Sequence, residues 1–170
     1  MKATTQTSKE TSEHADRCVT GITRLCAELN REDSELRTHL LDAALAGLRL
    51  TRHPKSQEFR REATQAWSAI EPILSHHLAA EDTVMMDWLE RYARLSPEVL
   101  FRVRECHYKL KQLAGAIGQA RLQSRDEQAA VEAGRVLSGL AVCLDDVIDA
   151  EEHKIFPAIH KALFEMDRGA

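Results

Sequence analysis

Two short segments of the chain hold the residues best suited to chemistry, and they read as imperfect copies of one another. In His77-Leu78-Ala79-Ala80-Glu81-Asp82 a histidine precedes a glutamate by four residues. Val147-Ile148-Asp149-Ala150-Glu151-Glu152, followed by His153-Lys154-Ile155-Phe156-Pro157, keeps the acidic pair but has valine at the histidine position. Residues i and i+4 share a face of a helix, so His77 and Glu81 offer an imidazole and a carboxylate in one direction. Those two donors suit iron, manganese or zinc. The pattern is that of a carboxylate–histidine metal bundle from which part of the ligand set is missing.

Such ligands need a rigid frame, and the composition specifies a helical one. At 170 residues and 44% hydrophobic, the chain suits one domain with a core of its own. Only 7 glycines and 4 prolines interrupt long runs of Ala, Leu, Glu, Arg and Gln. Residues 1–10 are rich in Thr, Ser and Lys and are expected to be disordered. A first, accessory helix is expected within 11–33, with Cys18, Ile22, Leu25 and Leu29 at helical spacing. Asn30-Arg31-Glu32-Asp33-Ser34 reads as a break and a cap for the next helix. From residue 34 to 170 the signals give four principal helices, at about 34–52, 57–94 with a kink at Pro72, 97–122 and 124–164. Ser56, Ser96-Pro97-Glu98 and Ser124-Arg125-Asp126-Glu127 mark the last three starts. Short connections imply antiparallel neighbours, so the expected fold is all-α: an up-down four-helix bundle with an additional N-terminal helix.

The apolar registers show which residues face the core. Trp67, Ile70, Leu74, His77, Glu81, Val84 and Trp88 recur at steps of three and four, as do Leu100, Val103, His107, Leu110, Ala114 and Ile117. The last helix has Leu137, Leu140, Leu144, Val147 and Glu151; the helix at 34–52 has Leu36, His39, Ala43, Ala46 and Leu50. Polar intruders His39, His77, Glu81, His107 and Glu151 therefore stand where a bundle seam wants aliphatic side chains. Burying two carboxylates without partners costs several kcal/mol, and a cation held by both, with the histidines completing its coordination, removes that cost. Asp82, Glu152, His76, His153 and His160 fall off these stripes and read as surface residues, with His76 also in reach of an outer role; Trp67, Trp88 and Cys143 read as core.

On these residues the chain resembles the hemerythrin-like domain family. The resemblance spans roughly residues 34–164 and rests on His39-Leu40-Leu41, His77 to Asp82, His107 in Cys-His-Tyr-Lys-Leu, and Glu151 to Pro157. It implies an up-down bundle holding two non-haem irons bridged by carboxylates. This chain departs from the family pattern at two places, Val147 and Val103, each four residues before a site residue where the family has histidine. Both changes strip ligands from the same iron, which keeps His107 and the shared carboxylates; the other keeps His39, His77, Glu81 and Glu151. One metal, or a weakly held second, is the expectation.

The remaining features narrow the function classes. A net charge of −4 with mixed signs argues against nucleic acid as a partner. No signal-like or membrane-length apolar run is present and the four cysteines form no CxxC pair, so the sequence reading is a cytoplasmic protein with reduced thiols and no membrane partner. Nothing resembles a nucleophile–base pair or a phosphate loop. The resulting expectation is a non-haem iron protein that senses, binds or scavenges a small diatomic (O2 or NO) or peroxide. The alternative is a haem-binding or metal-free regulatory module, with His39, His77 or His107 as axial ligand in a cavity enlarged where valine replaces histidine. The N-terminal helix is expected to cap the bundle, to mediate a homodimer or to dock a partner.

Overall fold

A computed structural model describes the backbone of residues 4–93, 95–120 and 122–169, and the side chains of residues 19–93, 95–117 and 122–168. Among the described residues there is helix and no strand. Helix α1 runs from Thr4 to Arg52; α2 (Gln57–Ala80) and α3 (Met86–Tyr92) form a second rod; α4 (Pro97–Ala120) is the third; α5 (Glu127–Ala150) and α6 (Phe156–Gly169) form the fourth. Turns of a few residues join them, and α1 packs on α2 and α5 while α4 packs on α5. The expected all-α, four-helix bundle is what the chain forms.

Local chemistry sets the starts. The Ser56 hydroxyl accepts from the Phe59 amide at 3.3 Å, and the Ser96 hydroxyl from the Val99 amide at 3.4 Å. Asp126, rather than Ser124, caps α5, accepting from the Gln128 amide at 2.9 Å.

The expected break at Asn30–Ser34 is absent, and with it the separate accessory helix over 11–33. Residues 4–10, expected to be disordered, also lie in α1, while residues 1–3 are outside the described residues. The reason is an unbroken register: Ile22, Cys26, Leu29, Asp33, Leu36, Leu40, Ala43, Gly47 and Leu50 alternate steps of four and three, and all are buried. Packing along that seam overrides the capping tendency of a short polar stretch, and helix once nucleated extends cheaply into flanking residues. Ser34, instead of capping, donates its hydroxyl to the Asn30 carbonyl at 2.9 Å inside the helix.

Two apolar cores result. The larger is built on Leu36, Leu50, Ile70, Leu110, Leu137 and Leu144. The smaller joins Ile22, Cys26 and Leu29 of α1 to Met85, Trp88 and Ile155, Phe156 and Ile159. The N-terminal part of α1 is thus integral to the bundle. α1 and α5 touch backbone to backbone at Gly47 and Gly134: a Cβ on Gly134 would stand 2.6 Å from the Gly47 carbonyl oxygen, and one on Gly47 2.5 Å from that of Gly134. Trp67, Trp88 and Cys143 are buried as expected, and Cys26, Cys106 and Cys143 are free thiols. No helix among the described residues is long and apolar enough to cross a membrane.

Both of the twin segments contain a widened, π-helical turn, at Glu81–Met85 and Glu151–Ile155. Each opens on the glutamate, whose carbonyl accepts from the amide five residues on, that of Met86 or Phe156. The extra residue rotates the helix downstream of it, so Met85 is buried and Val84 exposed, against the expected register. After the second turn comes Pro157, which lacks the N–H that a regular helix would have used there, so widening the turn sacrifices no bond at that residue. The rod runs on past Ile155-Phe156-Pro157 as α6, in keeping with the expected helical span to about 164.

Candidate metal centre

Where the two cores meet, five ionisable side chains converge: Asp33 from α1, His77 from α2, Glu81 and Glu151 from the two π turns, and His107 from α4. None is more than 1% exposed. Around His77 Nε2 stand Asp33 Oδ1 at 3.4 Å, Glu81 Oε2 at 3.3 Å and Glu151 Oε2 at 3.4 Å. Around His107 Nε2 stand Glu81 Oε2 at 3.2 Å and Glu151 Oε1 at 3.6 Å. Glu151 therefore turns one oxygen to each histidine, and the donors of Glu81, His107 and Glu151 all lie within 4.8 Å of one another, as do those of Asp33, His77 and Glu151.

These separations are informative. Hydrogen-bonded partners approach to about 2.7–3.0 Å. Donors about 2.1 Å from a shared ion stand about 3.0 Å apart in an octahedron and about 3.4 Å apart in a tetrahedron. The cluster has the spacing of a coordination shell. Accordingly, both oxygens of Asp33, Glu81 and Glu151, and Nε2 of His77 and His107, are buried with no hydrogen-bond partner among the described residues. Buried polar atoms are seldom left so. A cation bound among them would satisfy them together, and the residues present fit one.

The outer nitrogens differ. His107 Nδ1 lies 2.9 Å from Asp82 Oδ1, and the other Asp82 oxygen meets Lys111. Glu32 Oε2 faces His77 Nδ1 at 3.4 Å, while Glu32 Oε1 is 2.7 Å from His76 Nδ1. A carboxylate behind a ligating imidazole fixes its ring and raises its basicity.

Charge is tightly shared. Burial alone would lower the His77 pKa, but the Glu151 and Glu81 carboxylates push it up to about 11. His107 is likewise raised to about 9, burial being outweighed by Glu151, Glu81 and Asp82. Burial, then the Glu151 charge, raises Asp33 to about 8 and Glu81 to about 7. Glu151 is held below its ordinary value: burial opposes this, but His107 and His77 outweigh it. Protons and a cation thus compete for the same donors.

The hemerythrin HHE cation-binding domain model matches residues 22–159. The chain belongs to that family. No match was found among the curated proteins or among the solved structures. The hemerythrin-domain match begins at Ile22, ahead of residue 34, and so takes in Glu32 and Asp33. Membership makes this a metal-binding domain.

Within the hemerythrin domain, the structure brings His77, Glu81, His107 and Glu151 together. His39 does not join them. It is half-buried beside Leu40 and lines a separate surface groove with Asp42 and Glu62. Leu40, not His39, continues the α1 seam, and one residue is about 100° of helix rotation. Asp33 takes the place expected for His39, six residues and about 9 Å earlier along the axis. Its signal was present: continuing Ile22, Cys26 and Leu29 by a further step lands on Asp33. Asp82, expected at the solvent boundary, does lie there but also backs His107. Glu152 is at the surface, paired with Arg37 at 3.2 Å. His153 and His160 are exposed.

Proposed function

We propose that the centre holds non-haem iron and that the protein senses, binds or scavenges O2, NO or peroxide there. The observation that carries this reading is the asymmetry of the cluster. On the His77 side four residues converge: Asp33, His77, Glu81 and Glu151. On the His107 side only His107 and the two shared glutamates are available among the described residues. That poorer side adjoins a cavity of about 360 Å³ lined by Val103, Val147 and Glu151. Where the family has histidines, valine side chains border this opening, so the second position is left with fewer protein donors and a route from solvent. Imidazole and carboxylate together suit iron, and a reduced iron supplies open positions for a small ligand.

The protein's own contribution is then positional. Glu81 and Glu151 would serve both positions and Asp33 would complete the first, while Asp82 holds the His107 ring through Nδ1. The valines keep the approach dry.

Metal and haem content of protein purified without oxygen, with absorption spectra before and after air, tests the reading. One to two irons per chain, with a spectral change on exposure to O2, NO or peroxide, is the expected result. A Soret band, or less than a tenth of an iron per chain even after anaerobic reconstitution, overturns it.

A further inference from the structure

The cavity beside the second position is larger than a diatomic needs. At about 360 Å³ it falls in the range of small-molecule sites, on the order of a dozen times the roughly 30 Å³ share of one water. Its composition is also graded. The buried end carries Val147, Ile155 and the Glu151 carboxylate, and Val99 and Val103 of α4 are half-buried walls. Arg102 and Lys154, both exposed, flank the mouth from opposite rods. Neither forms an ion pair with another described residue, whereas Arg37, Arg49, Arg104 and Lys111 do. Glu98, exposed at the start of α4, also lines the cavity; its local backbone and Ser96 hold its pKa below the ordinary value, so one carboxylate stands beside the two cations.

From this gradient we infer that the cavity binds a small organic acid with an aliphatic or aromatic body, such as a medium-chain carboxylate. The inference deepens the proposed function, and rests on it for the cavity's place beside the second metal position. Orientation follows from charge. In the metal-free chain the Glu151 carboxylate at the inner end repels an anion, whereas Arg102 and Lys154 attract one at the mouth. The carboxylate is therefore held outside by the two cations, and the hydrocarbon body runs inward along Val99, Val103, Val147 and Ile155. A flexible body of about eight carbons fills the space without displacing the walls.

The test titrates octanoate and 1-octanol into the full-length chain by calorimetry, with metal content measured in the same sample. Octanoate is expected to bind at least tenfold more tightly than octanol. Arg102→Ala combined with Lys154→Ala, both at exposed positions, is expected to weaken octanoate at least tenfold and leave octanol unchanged. Val103→Phe, which narrows the cavity, is expected to weaken both. Absent octanoate binding, or octanoate affinity unaltered in the double variant, overturns the inference. The two readings fail separately: octanoate binding in a chain that takes up no iron defeats only the iron reading, and iron uptake without octanoate binding defeats only this one.

Discussion

Replacing Asp33 by alanine should raise the stability of the metal-free protein and lower that of the metal-loaded one, a reversal that a purely structural ion cluster does not produce. Asp33 is fully buried and neither carboxyl oxygen has a hydrogen-bond partner among the described residues. Its pKa, raised to about 8, keeps it largely protonated at neutral pH, so the relevant cost is unmet hydrogen bonding rather than a bare charge. Removing that cost returns about 1–3 kcal/mol. Against it stands a void of about 40 Å³, which costs about 1 kcal/mol. The net gain of about 0–2 kcal/mol corresponds to a rise in Tm of up to about 8 °C for a chain of this size. With metal bound, Asp33 is one of four donors at the first position. Even outer residues alter metal affinity about 10–100-fold, so loss of a direct donor should cost at least about 1.4–2.7 kcal/mol of metal-dependent stability. Circular dichroism melts at fixed, saturating ferrous iron under nitrogen, and again with chelator, read both signs. An equal fall in Tm in the two conditions would refute the assignment of Asp33 as a ligand.

Three further outcomes follow from the same geometry. Asp82→Asn removes the carboxylate behind His107 and should weaken the second metal equivalent about 10–100-fold while sparing the first, as read by stoichiometric titration; equal loss at both would show that Asp82 acts on folding. Apparent metal affinity should rise with pH. The raised pKa values of His107, about 9, and His77, about 11, mean that a metal must displace their protons at neutral pH. For the metal-free fold the sign is opposite. The stabilisation from the two imidazolium groups is complete below about 6.5 and is lost as pH climbs through 9 and then 11, and Asp33 adds a penalty that grows from about pH 4 to 8. Competition with a chelator at pH 6.5, 7.5 and 8.5 checks the first statement, and a flat affinity contradicts it. Finally, Gly134→Ala places a methyl against the Gly47 carbonyl, which belongs to helix backbone and cannot yield freely. It should cost about 1–3 kcal/mol, or about 2–12 °C in Tm, and an unchanged melt would disprove the close crossing of α1 and α5.

What the sequence determined by itself was the fold class, the capped starts of α2 and α4, and four of the five converging side chains. Those four announce themselves because each is a polar residue interrupting an apolar stripe of fixed period, a signal that is local to one helix. Asp33 obeys the same rule, but it sits in Asn30-Arg31-Glu32-Asp33-Ser34, a run whose capping chemistry argues for a break. Only packing decides between a cap and a seam residue, because the deciding energy is apolar burial against α3, α5 and α6, which are remote in sequence. His39 fails in the opposite way. Its spacing to Leu36 and Ala43 is acceptable for a helix, yet the seam passes through Leu40, and which of two adjacent stripes faces inward depends on the neighbouring rods. The π turns belong to the tertiary structure as well. The periodicity holds as far as Glu81 and Glu151; the widened turn that follows each rotates only the helix downstream, burying Met85 in place of Val84. Spacing along one helix fixes which donors share a face; the rotation and depth of four helices fix which donors can touch one ion.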